Sequence, residues 1–210
     1  MHDLVTEIRE ERGAYRVTVN DTETFRLSAA DYQALPLVAG QALDWPAYRA
    51  ALLKRQYPEA LAKAVALLAA RARSRREVAR KLADRGYRPE TVAQVIARLQ
   101  GEGLLDDAAF AAQWAQARAA KGLGRARLLQ ELRLKGIAED VCQTALAGLD
   151  TDAQDEQAAR LAEKLLARYG RLPAREAMQK ALAAFQRRGY GYGEASRALQ
   201  AALERMRGEE

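Results

Sequence analysis

Side chains able to make or break covalent bonds are few in this sequence. It holds one cysteine, Cys142, and one histidine, His2. A histidine-activated nucleophile would have to draw its base from the chain end, and a Cys/His metal cluster cannot be assembled. A single thiol also excludes an internal disulfide framework, and composition leaves an all-carboxylate site as the one open metal option. Asp106 and Asp107 form an adjacent acid pair, but they stand where a helical pattern begins and read as caps. Lys121-Gly122-Leu123-Gly124 lacks the spacing of a phosphate-cradling G-x-x-x-x-G-K-S/T loop and reads as a break between helices. No cofactor is implied, and the residues point to a protein that is not an enzyme.

What the sequence has in quantity is cationic side chains set in blocks. The net charge is +6 overall. Residues 71–100 carry 9 basic and 3 acidic side chains, 118–136 carry 6 and 1, and 164–190 carry 7 and 1. Between them 137–163 carry 1 basic and 7 acidic, and residues 1–50 carry 5 and 8. Surface charges are ordinarily interspersed in sign, so blocks of one sign suggest separated positive patches offered to a long polyanion. The candidate contacts are Arg73, Arg75, Arg76, Arg80, Lys81, Arg85 and Arg88 in the first block. Lys121, Arg125, Arg127, Arg133 and Lys135 follow in the second, with Lys164, Arg187 and Arg188 in the third. Guanidinium groups grip phosphates or carboxylates in bidentate fashion, so these residues suit a DNA backbone and an acidic protein surface alike. For any one of them the plain alternative is a solvated helix face.

The elements that must position these cations are mostly helices. Residues 1–35 have a different grammar. Tyr15, Val17 and Val19 alternate with polar residues, Asn20-Asp21-Thr22-Glu23 supplies turn chemistry, and Phe25 and Leu27 resume the alternation, which predicts a β-hairpin. Ser28 with Asp31 starts a short helix that stops before Pro36. Beyond this, Asp44 caps a helix through Leu53, and Pro58 opens another with a Leu61, Val65, Leu68 stripe. Ser74 and Glu77 form a capping box for a helix ending at Gly86, and Pro89 opens one carrying Val92, Val95, Ile96 and Leu99. Helices from Asp106 to Lys121 and from Arg125 to Lys135 follow.

Aligning the glycine stops exposes internal repetition. Arg85-Gly86-Tyr87, Lys135-Gly136-Ile137 and Arg188-Gly189-Tyr190 recur along the chain. Leu82, Leu132 or Phe185 sits on one side of each stop, and Ile96, Leu146 or Leu199 on the other. Cys142 falls where Val92 stands in the first unit, so a buried apolar role is predicted. Phe110 and Trp114, at helical spacing, are read as core, with stacking on bases the lesser option. Tyr87, Tyr190 and Tyr192 lie near the turns, where an apolar residue after the glycine commonly makes the closing contact. The architecture expected is mainly α: an elongated, curved array of three tandem three-helix repeats of helix–turn–helix type, with a small N-terminal β-hairpin module. The expected boundaries are 1–56, 57–105, 106–150 and 151–210. With 49% hydrophobic residues, much of it alanine, the cores should be thin and the helices close together. Neither a membrane span nor a secretory signal is legible, so a cytoplasmic monomer is expected.

Two stretches resemble the RecX regulatory proteins. One is Leu105-Asp106-Asp107-Ala108-Ala109-Phe110-Ala111 with Trp114, Arg118, Lys121-Gly122 and the run from Leu128 to Ile137. The other is Ser74-Arg75-Arg76-Glu77-Val78 with Lys81-Leu82 and Arg85-Gly86-Tyr87. The likeness is strong from Leu61 to Leu149 and fainter beyond, and the hairpin with Gly40 to Asp44 is similar to an extra module of longer members. The resemblance implies a modulator that binds the RecA recombinase filament on single-stranded DNA. Such a modulator restrains ATP hydrolysis, strand exchange and promotion of repressor self-cleavage, and so DNA repair and the SOS response. Many members also bind DNA directly, single-stranded and in some cases double-stranded. Two other functions remain open on the residues alone. One is a DNA-binding regulator reading duplex with the Ser74–Leu99 helix–turn–helix. The other is a helical adaptor for an unrelated acidic protein.

Overall fold

The computed structural model describes residues 3–208, which divide into two compact units between Leu105 and Asp106. In the first, strands β1 (Asp3–Glu11), β2 (Ala14–Val19) and β3 (Glu23–Ser28) with the short β4 (Ala42–Leu43) form an antiparallel sheet in the order β3-β2-β1-β4. The expected hairpin is β2–β3. The sequence reading missed β1 because Val5 and Ile8 are out of strict alternation, and the register shift between Val5 and Glu7 shows why. Val5, Val17, Val19, Phe25 and Leu27 are buried on one sheet face together with Leu37, Leu43, Trp45 and Leu52. Ser28 caps α1 (Ala29–Ala34) by accepting from the Asp31 amide, as its type predicts.

Asp44 caps α2, which runs unbroken from Trp45 to Ala70. Two helices were expected here, with Pro58 opening the second. Pro58 instead lies within α2 on its exposed side, where the carbonyl deprived of an amide partner can be solvated. The expected division at 56/57 therefore falls inside one helix. The buried line of α2 is also not Leu61, Val65 and Leu68: Ala60 and Ala64 are fully buried, while Val65 is exposed. Alanine lets α3 (Arg75–Ala83) and α4 (Pro89–Gly101) approach, and Val78, Leu82, Val95 and Leu99 fill the space. Gln56 joins sheet module and repeat. Its Nε2 donates to Asp31 at 2.8 Å, and its Oε1 accepts from the Arg88 amide at 3.0 Å and the Thr91 hydroxyl at 2.9 Å.

The second unit holds two three-helix repeats: α5 (Asp107–Ala119), α6 (Arg125–Leu134) and α7 (Glu139–Ala147), then α8 (Thr151–Tyr169), α9 (Ala174–Arg187) and α10 (Tyr192–Gly208). All three repeats share one turn. Gly86, Gly136 and Gly189 have φ of 87°, 78° and 86°. The next residue's amide reaches back to Leu82, Leu132 or Phe185 at 3.4, 3.2 and 3.2 Å, and each glycine amide bonds three residues back. This pair of bonds is the Schellman closure. The aligned residues Leu82, Leu132, Phe185, Leu146 and Leu199 are at most 1% exposed. Tyr190 makes its closing contact edge-on with Phe185, centroids 5.1 Å apart.

The third turn has a second duty. The Arg188 and Gly189 carbonyls accept from the Gly124 and Ala126 amides at 2.8 and 3.1 Å, so the open end of α6 is satisfied by the following repeat. A Cβ on Gly189 would meet the Arg127 amide nitrogen at 2.3 Å, whereas one on Gly86 would meet nothing within 4 Å. Gly86→Ala should therefore destabilise by about 1–2 kcal/mol, the cost of a left-handed side chain. Gly189→Ala, which also disturbs two hydrogen bonds, should cost about 3–5 kcal/mol in urea unfolding.

Candidate functional site

The densest group of expected cations lies on α3. Its capping box is complete: Glu77 N–H donates to Ser74 Oγ at 3.2 Å and Ser74 N–H to Glu77 Oε2 at 3.3 Å. Arg75 and Arg76 occupy the first two helical positions, where the helix dipole disfavours cations by about 0.3–1 kcal/mol. Helix stability thus gives no reason for them. Val78 and Leu82 turn one face inward and leave Arg76 and Arg80, one turn apart, on the exposed side. Lys81 and Arg85 form a second exposed pair with the same spacing. Arg80 meets Asp84 at 3.9 Å with its side chain 81% exposed, a contact too long and too wet to hold it. Among the described residues, Arg76, Lys81 and Arg85 make no ion pair.

Arg73 and Arg88 are placed differently. Arg73 Nε donates to the Leu67 carbonyl at 3.0 Å and closes the end of α2. The Arg88 side chain is 14% exposed and paired with Glu90, its guanidinium 5.2 Å from the Phe25 ring centre and 5.6 Å from that of Trp45. It is packed between sheet module and α4.

In the second unit α6 and its C-cap carry Arg125, Arg127, Arg133 and Lys135; the first three are exposed, and each of the four has a partner within the chain. Arg125 reaches the Leu146 carbonyl and Gln143 Oε1, both at 3.3 Å. Arg127 donates to Gln130 at 2.8 Å, and Arg133 grips Glu139 with two bonds of 2.8 Å. The Lys135 ammonium sits 4.1 Å from the Trp114 ring centre. Arg188 Nη1 lies 3.5 Å from the Gly122 carbonyl. Lys121, Lys164 and Arg187 are exposed with no ion pair among the described residues.

Glu131 organises this repeat. It accepts from Arg118 at 2.6 and 2.8 Å and from the Trp114 indole at 3.1 Å. Hydrogen bonding from Arg118 outweighs burial and holds the Glu131 carboxyl below the ordinary carboxylate range. Arg133, helped by Gln143, holds Glu139 down to about 2. Trp114 stacks on Phe110 at 5.8 Å and has its indole N–H occupied, which places both rings in the structure of the repeat. Asp106 is a cap, accepting from the Ala108 and Ala109 amides at 2.7 and 3.0 Å. Cys142 is fully buried, and burial pushes its thiol up. No cluster of His, Cys, Asp or Glu able to hold a metal occurs among the described residues, and none of their helices is long and apolar enough to cross a membrane. His2 lies outside the described residues. Sequence reading passed over Arg12, Arg26, Gln56 and Glu131; of these only Arg12, beside Gly13 and just before the alternation of Tyr15, Val17 and Val19, carried a local turn signal.

Three tandem three-helix domains, each closed by the same glycine turn and studded with arginine, define a helical repeat protein. Models of the first, second and third three-helix domains of RecX match residues 60–99, 106–146 and 152–199. The regulatory protein RecX of Mycobacterium ulcerans (strain Agy99) is 43% identical over 135 residues, covering 63% of this chain and 78% of that protein. That of Mycobacterium tuberculosis (strain ATCC 25177 / H37Ra) is 40% identical over 139 residues, covering 63% and 79%. A crystal structure of regulatory protein RecX aligns with a TM-score of 0.65 at 25% identity, over 92% of this chain and 97% of that one. RecX from Lactobacillus salivarius gives a TM-score of 0.66 at 23% identity over 71% and 97%. The chain belongs to the RecX family of regulatory proteins.

The carboxyls of Glu131 and Glu139 titrate lower in the folded chain than in the unfolded one. Their stabilisation is complete above about pH 5 and is lost as pH falls through the folded values. Glu131→Gln is expected to lower urea-unfolding stability at pH 7 by about 1–3 kcal/mol and to flatten its decline below about pH 5.

Proposed function

We propose that this chain is a non-enzymatic, cytoplasmic modulator that binds the RecA filament on single-stranded DNA. It slows the filament's ATP hydrolysis, strand exchange and coprotease activity, and thereby tunes DNA repair and the SOS response. Membership of the family, with all three of its domains in order along residues 60–199, carries this reading. A monomer suffices, because successive domains supply successive contacts to a filament. The candidate contacts are the fifteen cations named from the sequence. Foremost are those the fold leaves outward and unneutralised: Arg76, Lys81 and Arg85 on and after α3, with Lys121, Lys164 and Arg187 in the second unit. Arg75 and Arg80 flank the first group. Arg73, Arg88, Arg125, Arg127, Arg133, Lys135 and Arg188 support the repeats that present them.

Direct contact of DNA phosphates by the same α3 cations is the second reading, favoured by Arg76 and Arg80 on one exposed helical face. It gives salt-sensitive, sequence-blind binding.

The test is DNA-dependent ATP hydrolysis by RecA with substoichiometric amounts of this protein, where inhibition is expected. Charge reversal at Arg76 and Lys81 should raise the concentration for half-inhibition about tenfold or more. Reversal at Arg125 and Arg127 should act chiefly through stability, seen as a lowered melting temperature. Full hydrolysis at every ratio would overturn the reading.

A further inference from the structure

Between the sheet module and the first repeat, the first unit contains a groove of ≈ 590 Å³, which Arg85 of the proposed filament contacts also lines. One wall is the whole of β3, Glu23 to Ser28, and the other is the α3–α4 turn from Ala83 to Pro89; the β1–β2 turn closes one end. Consecutive residues of β3 line it, and not alternate ones. Alternate residues would mean that a sheet face borders the groove; a full run means that the strand's edge does. β3 is the outermost strand on that side, paired only with β2, so one row of its main-chain donors and acceptors is open along the groove.

Four arginines, Arg12, Arg26, Arg85 and Arg88, line the groove against two carboxylates, Glu23 and Asp84, of which Glu23 accepts from the Trp45 indole, so cations are in excess. Elsewhere on the sheet arginines are neutralised: Arg9 pairs with Glu7 and Arg16 with Glu11. At the floor of the groove Arg88 pairs with Glu90. Arg12, Arg26 and Arg85 come from three different elements, all line the groove, and make no ion pair among the described residues. Two of the three stand where the fold alone disfavours them. Arg26 lies directly opposite Arg16 in the ladder, a like-charge pair that destabilises a sheet. Arg12 has φ of 50° at the first position of a two-residue hairpin turn, where asparagine or glycine is the unstrained choice. A gatekeeping charge that merely blunts an edge needs neither feature.

We propose that this groove is a docking site for an extended acidic peptide segment of a partner protein, which adds as a strand to β3 while its carboxylates meet Arg12, Arg26 and Arg85. The edge selects peptide over nucleic acid. Its open row alternates N–H donors with carbonyl acceptors, which another peptide main chain complements. A phosphodiester chain has acceptors alone and would leave the carbonyls unmatched.

The experiment uses the full chain and a synthetic peptide alternating valine or isoleucine with aspartate or glutamate, beside its asparagine/glutamine counterpart. The acidic peptide is expected to bind about tenfold or more tighter than the amide version, with salt-dependent affinity, and to slow hydrogen exchange at β3 amides. Arg26→Glu with Arg85→Glu should abolish that binding while circular dichroism stays unchanged. Arg12→Asn is the discriminating variant: relief of the turn should raise the melting temperature by a few degrees while peptide affinity falls, whereas a purely structural arginine would lower it. Equal affinity for the two peptides, no protection at β3, or oligo(dT) protecting these amides more strongly than the peptide would each overturn the proposal. No recombinase is present in the assay, so its outcome is separate from that of the filament reading.

Discussion

The constraint on which the repeats depend is a left-handed residue at the end of each middle helix. Only glycine takes that conformation without strain. Once it does, the next amide turns back onto the helix and the chain leaves at an angle that brings the third helix against the first two. Leu82, Leu132 and Phe185 are buried because this turn folds the chain over them. The same geometry serves docking: in the third repeat the turn carbonyls face the amides of Gly124 and Ala126, and the missing side chains of Gly124 and Gly189 make the approach possible. One backbone device thus closes a repeat and joins it to its neighbour.

Positive charge is used in two ways. On α6 the cations tie helices together: Arg125 to α7, Arg133 to Glu139, Lys135 over Trp114. On α3 comparable residues point away from the repeat and include cations in a first turn that disfavours them. The difference lies in the surroundings. The helix following α6 opens with Glu139 and Asp140, whereas the one following α3 opens with Pro89 and a Glu90 already engaged by Arg49 and Arg88. Glu139 takes up Arg133 beside α6, whereas Arg76 and Lys81 of α3 have no such carboxylate among the described residues.

The sheet module is joined to the first repeat through buried polar groups. Gln56 reaches Asp31 on one side and Arg88 and Thr91 on the other, and Arg88 lies against Phe25 and Trp45. Such a junction tolerates little slippage, because every buried partner left alone costs its desolvation. It fixes β3 and the α3–α4 turn as two walls within one unit.

How much of this was legible in the sequence follows from the range of each interaction. Helix starts at Ser28, Ser74 and Asp106, the glycine stops and the threefold repetition are local, since caps and turns are satisfied within a few residues. Alignment of the stops was enough to find the repeats and the buried positions Leu82, Leu132 and Cys142. The strand β1 was hidden because its register is irregular and its partner decides it. Pro58 misled, because a proline on a solvated helix face can be absorbed. The cations were legible as a set but not as individuals: whether Arg76 faces water or Arg133 faces Glu139 depends on which carboxylates tertiary packing brings within about 4 Å. Sequence by itself therefore determined the capped helix starts, the glycine stops and the threefold repetition. Only the tertiary structure decided which charges are spent inside the fold and which face outward, because local geometry is written in neighbouring residues and ion pairing is set by groups far apart along the chain.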